Sequence, residues 1–219
     1  MNTNEQDFLR LAAAGHNRIP LVRQAFADLE TPLSLYLKLC AGRPLSFLLE
    51  SVIGGERFGR YSFIGLPART LLRARGSECE IVRDGEVVER VNTNPLDFIA
   101  AYQERLKPAV LPGLPRFCGG LAGYFGYDAV RAIEPRLAHS RPAGGLGLPD
   151  IQLLLSEEVA VIDNLSGRLF LIVWADPAVP EAYAKAQARL DELAGSLRRG
   201  VGLPEVKPST PQPVQRERD

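Results

Sequence analysis

The chain has 219 residues, of which 46% are hydrophobic and 24% charged, and its 26 Lys and Arg residues balance its 26 Asp and Glu residues. This length suffices for one large domain or two small ones with a substantial core. The zero net charge argues against nucleic acid or an acidic membrane as an obligatory partner, because both favour a basic protein.

No membrane span or targeting segment is predicted. The longest apolar runs are only a few residues, far shorter than a membrane span. The N-terminus, "MNTNEQDFLRLAAAG", lacks the basic start and apolar block of a signal peptide. We therefore expect a cytoplasmic protein.

The first elements along the chain are a helix and two strands. Thr31-Pro32 predicts the N-cap and first turn of a helix with one apolar stripe, which ends at Gly42. The continuous apolar run "LSFLLESV" then predicts a buried strand. The segment "RYSFIGL", with aromatic and β-branched residues, predicts a second strand.

The central part of the chain predicts a meander, a helix and a further strand. Residues 69–91 read as three short strands, because Asp84-Gly85 between two apolar pairs is a strong hairpin signal. Asn94-Pro95 predicts the start of a helix that runs through Leu106. The glycines of "FCGGLAGYFGYD" indicate a strand that crosses close to another backbone.

The C-terminal part predicts a loop, a hairpin, a helix and a tail. Residues 135–150 are a loop by composition. A hairpin follows that turns at Asn164 to Gly167, and Asp176-Pro177 leads into an amphipathic helix ending at Gly200. Residues 201–219 are rich in proline and poor in large apolar side chains, which is typical of a linker or tail.

Cysteine and histidine residues predict no catalytic or metal site. Cys40, Cys79 and Cys118 are an odd number, best interpreted as free and mostly buried thiols in a reducing compartment. No Cys or His pair has metal-ligand spacing. His16 and His139 lie in polar or loop-like settings, so a histidine-based catalytic centre is not expected.

Two other motifs favour structural roles over chemistry. The segment "GGLAGYFGYD" has neither G-x-G-x-x-G nor G-K-[ST], so its glycines are expected to let backbones approach and turn rather than bind phosphate. Glu157 and Glu158 are adjacent in a predicted strand and face opposite ways, so they cannot cooperate in acid–base chemistry. No catalytic residue is predicted.

The most informative stretch is residues 48–66, "LLESVIGGERFGRYSFIGL", which places a carboxylate and a hydroxyl at the end of an apolar strand. A free amino acid needs a carboxylate for its ammonium and N–H, O–H or guanidinium donors for its carboxylate. Glu50, Ser51, the Gly54-Gly55 amides and Arg60 supply that set. The alternative is a cross-strand ion pair between Glu50 and Arg60 beside a tight loop.

Two segments carry a resemblance to a known family. "RPLSFLLESVIGGERFGRYSFIGL" resembles the N-terminal signature of anthranilate synthase component I, the chorismate-using subunit that opens tryptophan biosynthesis. "FCGGLAGYFGYDAVRAIE" resembles the second N-terminal signature of that family. The resemblance covers roughly residues 15–200. It implies one α+β domain over residues 15–200, with mixed or antiparallel sheets packed with helices.

The resemblance also implies a ligand site. In this family the L-L-E-S segment lines the site for feedback inhibition by L-tryptophan. Leu49, Glu50 and Ser51 fall on that segment, and Arg60 falls near a basic position of the family. Ligand-binding roles for these four residues are therefore what the resemblance implies.

Nothing in the sequence resembles the larger chorismate-binding half of the family. That half carries the magnesium-binding glutamates and the acid–base residues, so Mg²⁺ and chorismate are implied for the complete enzyme only, as is a glutamine amidotransferase partner. We expect this chain alone to be inactive, as an N-terminal fragment or a product without the catalytic portion.

Three interpretations remain open. The chain is the regulatory part of anthranilate synthase component I, part of the sister aminodeoxychorismate synthase component I, or a stand-alone amino-acid-binding module. The intact "LLES…GGERFGRYSFIG" motif favours the first, because a feedback-controlled enzyme needs a functional pocket.

Overall fold

A computed structural model of the chain describes residues 3–40, 42–53, 57–137 and 147–201, with the backbone alone at residues 51–53, 57, 58 and 135. Within these ranges the α-helices are α1 (Glu5–Ala13), α2 (Pro32–Cys40), α3 (Pro95–Arg105) and α4 (Ala182–Leu197). The strands are β1 (Ile19–Phe26), β2 (Phe47–Ile53), β3 (Arg57–Gly65), β4 (Thr70–Arg75), β5 (Glu78–Arg83), β6 (Glu86–Asn92), β7 (Gly120–Phe125), β8 (Ile151–Ser156), β9 (Glu158–Asp163) and β10 (Arg168–Ala175). Short 3-10 helices cover Tyr127–Ala132 and Pro135–Leu137.

The strands form two five-stranded sheets. The first sheet has the order β1-β10-β9-β3-β2, and the second has the order β6-β5-β4-β8-β7. Each pair of neighbouring strands is antiparallel. The predicted α+β class, with sheets packed with helices, is confirmed.

Two apolar cores hold the layers together. On one face of the first sheet, buried residues of α1, α2 and α4 pack against strand residues such as Leu171. On its other face, residues such as Ile172 pack against the second sheet and α3. The alternation of Leu171 and Ile172 shows why β10 is apolar throughout, since a strand between two cores buries both of its faces.

The sheets are joined where one strand runs almost directly into the next. Glu157 alone separates β8 of the second sheet from β9 of the first. Its carboxylate lies 3.0 Å from Nε of Arg18, which also contacts Asp176 at 2.9 Å. Burial raises the pKa of Glu157, while the charge of Arg18 acts in the opposite direction.

Most predicted elements are confirmed. Helix α2 begins at Pro32 with a reciprocal cap, in which the Ser34 amide donates to Thr31 Oγ1 at 3.0 Å and the Thr31 amide to Ser34 Oγ at 2.9 Å. The meander over β4, β5 and β6 turns at Asp84 and Gly85, which both have positive φ. Helix α4 ends at Leu197 rather than at Gly200.

The predicted close approach of backbones at the glycine-rich strand is also confirmed. A Cβ on Gly123 of β7 would lie 2.0 Å from the carbonyl oxygen of Gln152 in β8. Any side chain there would force the two strands apart. The thiols are free, with Cys40 and Cys79 buried and Cys118 half-buried.

Helix α1 and strands β1 and β8 have no counterpart among the predicted elements. Strand β1 contains Pro20, which weakens a strand signal, and β1 is an edge strand, where proline is tolerated. Strand β8 precedes Glu157 with no Gly, Pro or Asn to mark the change of sheet. Most of the predicted loop 135–150 and of the predicted tail 201–219 lies outside the described residues, and the domain bounds 15–200 stay a prediction.

Within the described ranges, no helix combines the length and apolar character needed to cross a membrane.

Candidate functional site

The residues singled out by the sequence lie on the hairpin of β2 and β3. Strand β2 is an edge strand of the first sheet and pairs with β3 alone among the described strands. Leu49 and Glu50 are both exposed on this edge, and β2 continues past Glu50 to Ile53. The expectation of a buried strand that ends at Glu50 is therefore wrong, because an edge strand covers neither of its faces fully. An exposed edge with an apolar and an acidic side chain is open to a ligand rather than committed to the core.

The pairing of β2 with β3 is irregular at the site. Glu50 pairs with Ser62, but the next pair joins Val52 to Phe58, so Ser51 lies opposite the three residues Gly59–Tyr61. Arg60 is the middle residue of those three. The backbone therefore brings Ser51 and Arg60 to the same level along the hairpin. The Ser51 side chain and the Gly54-Gly55 amides lie outside the described residues.

The alternative of an ion pair between Glu50 and Arg60 is wrong. The guanidinium of Arg60 instead binds Asp163 on the neighbouring strand β9, with Nη2 at 3.2 Å from Oδ2 and Nε at 3.4 Å from Oδ1. Asp163 lies within reach of Arg60 because β9 pairs directly with β3. In that pairing Tyr61, the residue after Arg60, is directly opposite Asp163. The Glu50 side chain has no hydrogen-bond or ion-pair partner within the described part of the chain.

Arg60 is held in place yet remains accessible. Its side chain is 59% exposed, whereas that of Asp163 is only 8% exposed. The guanidinium also lies over the ring of Tyr61, 4.9 Å from the ring centroid. The hydrogen bond to Asp163 raises the pKa of Arg60. Because Asp163 engages only Nε and Nη2, the remaining guanidinium N–H groups can still donate to a ligand.

Asp163 is an ionised carboxylate at the inner end of this contact. Burial alone would raise the pKa of Asp163, but hydrogen bonds from Arg60 and from the Leu165 amide outweigh it and lower that pKa. The Leu165 amide donates to Asp163 Oδ1 at 3.1 Å. A negative charge is thereby fixed beneath Arg60.

Asn164 fixes the irregular part of β3. Its backbone amide donates to the carbonyl of Arg60 at 2.8 Å, and its side-chain amide donates to the carbonyl of Gly59 at 2.8 Å and to Ser62 Oγ at 3.2 Å. Sequence reasoning missed Asp163 and Asn164, because both lie in a segment, "VIDNLSG", that reads as an ordinary hairpin turn. The only available signal was their place at a strand end with a side-chain carboxylate and amide.

Potential metal-ligating side chains are dispersed over the residues that the structure describes. Among them, no group of three or more His, Cys, Asp or Glu side chains comes together as a ligand set.

Comparison with known proteins gives a consistent result. No protein-family model matches the sequence. The chain is 53% identical over 204 residues to anthranilate synthase component 1 of Neisseria gonorrhoeae, covering 92% of this chain and 41% of that protein. It is 52% identical over 199 residues to anthranilate synthase component 1 of Pseudomonas putida, covering 90% of this chain and 40% of that protein.

A solved structure supports the fold. The crystal structure of anthranilate synthase component I from Streptococcus pneumoniae TIGR4 matches with a TM-score of 0.51 and 23% sequence identity, covering 80% of this chain and 36% of that one. The chain spans about two fifths of the length of the curated relatives it matches. It is homologous to the N-terminal portion of the anthranilate synthase component 1 family.

Proposed function

We propose that this chain is the regulatory portion of an anthranilate synthase component I and that its β2–β3 hairpin binds L-tryptophan as a feedback inhibitor. Two observations support the proposal. The chain shares about half of its residues with relatives that carry the enzyme's name. Glu50 offers an exposed carboxylate without a partner among the described residues, which is the observation that carries the ligand assignment.

The chemistry of the ligand matches the groups on the hairpin. The ammonium of tryptophan binds the Glu50 carboxylate, and its carboxylate binds the Ser51 hydroxyl and the free N–H groups of Arg60. Leu49 is exposed on the same edge strand but faces the other side of the sheet from Glu50, and its contact with the ligand stays a prediction. Asp163 and Asn164 act as positioning residues, because they hold Arg60 and the irregular strand.

In the complete enzyme, this chain supplies scaffold and the inhibitor site. A glutamine amidotransferase subunit delivers ammonia, which adds to chorismate, and pyruvate leaves to give anthranilate. Chorismate and magnesium bind to the portion of the enzyme that this chain does not match. A cytoplasmic location is part of the same proposal.

The proposal is tested in a hybrid enzyme in which residues 1–219 precede the C-terminal portion of the Neisseria gonorrhoeae relative. Ser51→Phe should weaken inhibition by L-tryptophan while turnover of chorismate stays largely intact. Losing one hydrogen bond to a charged group costs roughly 1.5–3 kcal/mol, or about one to two decades in inhibitor affinity. If L-tryptophan inhibits the Ser51→Phe hybrid as strongly as the hybrid with the native hairpin, the proposal is contradicted.

A further inference from the structure

A second cleft lies away from the β2–β3 hairpin. The loop of residues 106–119, between α3 and β7, forms one wall of a cleft of about 560 Å³. This volume is within the usual range of small-molecule sites, roughly 300–1,000 Å³. Its lining is predominantly apolar and includes Leu106, Leu111, Leu114, Leu121 and Trp174.

The loop that forms the cleft is anchored to the start of β1. The Ala109 amide donates to the Arg18 carbonyl at 2.8 Å, and the Lys107 amide donates to Asn17 Oδ1 at 2.7 Å. The Asn17 amide returns a hydrogen bond to the Lys107 carbonyl at 3.1 Å. The cleft is therefore formed before any ligand arrives.

Trp174 lines the cleft, but its indole N–H is buried. Its side chain is 92% buried, since only 8% is exposed, and its indole N–H has no hydrogen-bond partner within the described residues. Buried indole N–H groups usually have an acceptor. Gly119 packs directly against the indole, because a Cβ on Gly119 would lie 2.5 Å from Trp174 Nε1. The N–H is therefore covered, and Trp174 is a reporter of the cleft rather than a donor to its ligand.

The cleft also carries a positive charge at its rim. Arg116 lines the cleft, is exposed, and makes no ion pair or side-chain hydrogen bond to any residue that the structure describes. Cys118 lines the same cleft, and burial raises the pKa of its thiol. The thiol is therefore neutral near pH 7 and does not repel an anion.

We propose that this cleft binds a small apolar carboxylate, with its hydrocarbon body among the leucines and its carboxylate at Arg116. The apolar walls select the body of the ligand, and the unpaired cation of Arg116 selects its charge. This site is independent of the proposed tryptophan site. Strands β9 and β3 separate β10, which carries Trp174, from β2, which carries Glu50, so the two strands lie roughly 14 Å apart at about 4.8 Å per strand.

Intrinsic fluorescence tests the proposal directly, because Trp174 is the only tryptophan of the chain. The probe is 3-phenylpropionate, and the matched neutral compound is 3-phenylpropan-1-ol. We expect 3-phenylpropionate to change the emission of Trp174 in a saturable way and to bind about tenfold more tightly than the alcohol, as one charge-assisted contact allows.

Two arginine variants distinguish binding in the cleft from a general effect of the charge of the protein. Arg116→Gln should remove the preference for the carboxylate, and Arg199→Gln, at an exposed arginine after α4, should retain it. Circular dichroism checks that both variants keep the fold. The absence of a saturable change, or an equal preference for the carboxylate in native and Arg116→Gln chains, would overturn the proposal.

Discussion

Arg60 and Asp163 form an ion pair across neighbouring strands, with 3.2 Å between Nη2 and Oδ2 and a buried carboxylate beneath an exposed guanidinium. The arrangement is asymmetric. Asp163 is fixed by the Leu165 amide and by burial, whereas more than half of the Arg60 side chain faces solvent. The carboxylate therefore orients the arginine and leaves part of it free for a ligand.

A double-mutant cycle tests whether Asp163 acts through Arg60. In the hybrid enzyme, Arg60→Gln and Asp163→Asn should each raise the inhibition constant of L-tryptophan several-fold, which corresponds to a loss of about 1 kcal/mol in binding free energy. Inhibition of the double variant by L-tryptophan should be no weaker than inhibition of either single variant. The Michaelis constant for chorismate should not change, which serves as the internal control. Effects of the two substitutions that simply add would show that Asp163 does not position Arg60.

The outer face of the second sheet makes a pH-dependent contribution to stability. Arg73, Glu80 and Arg90 are neighbours across β4, β5 and β6, and Glu80 accepts hydrogen bonds from both arginines. The hydrogen bond from Arg73 is the main cause that lowers the pKa of Glu80. A carboxyl group with a lowered pKa stabilises the folded state above its unfolded-state pKa, about 4.3, and loses this contribution as the pH falls through the folded-state value.

We therefore expect Glu80→Gln to lower the free energy of unfolding at neutral pH, and the difference from the native chain to shrink below about pH 4. Urea unfolding of both proteins at a series of pH values measures this. Glu78→Gln is the matched control, because Glu78 is exposed and lies 3.4 Å from Arg90, a pair worth less than about 1 kcal/mol. A loss of stability for Glu80→Gln that is the same at every pH would contradict the assignment.

The isolated chain should be catalytically silent. We expect residues 1–219 to form no anthranilate from chorismate, even with ammonia and magnesium supplied, because the resemblance implies that the magnesium-binding glutamates and the acid–base residues belong to the half of the enzyme that this chain does not match. Anthranilate fluorescence is the readout, and the hybrid enzyme is the positive control. Fluorescence above background from the purified chain would contradict this expectation.

Tryptophan binding by the isolated chain should be weak as well. The resemblance implies that the other wall of the indole pocket comes from the half of the enzyme that this chain does not match. Calorimetry on residues 1–219 measures the affinity. Tight binding would instead favour a stand-alone amino-acid-binding module.

The sequence predicted local features well. Asp84-Gly85, Asn94-Pro95 and Thr31-Pro32 each marked an element that the structure contains, because caps and tight turns depend on residues close in sequence. The same holds for the β2–β3 hairpin, whose two strands are separated by only a few residues. The surroundings of Glu50 were predicted wrongly, because Glu50 is the fourth of the seven residues of β2 rather than its end, and β2 is an edge strand rather than a buried one.

Long-range relationships could not be predicted in this way. Asp163 is distant in sequence from Arg60, and nothing in "VIDNLSG" indicates which strand it would face. The irregular pairing that places Ser51 opposite Arg60 depends on Asn164, which belongs to the same distant turn. Strand β8 was missed because the chain changes sheet at Glu157 without a turn residue.

The most direct test of the account compares two inhibitors in the hybrid enzyme. Indole-3-propionate has the ring and carboxylate of L-tryptophan but lacks the ammonium that we assign to Glu50. Glu50→Gln should weaken inhibition by L-tryptophan by about one to two decades and leave inhibition by indole-3-propionate unchanged. Equal inhibition of the native and Glu50→Gln hybrids by L-tryptophan would contradict the assignment of the hairpin as the tryptophan site.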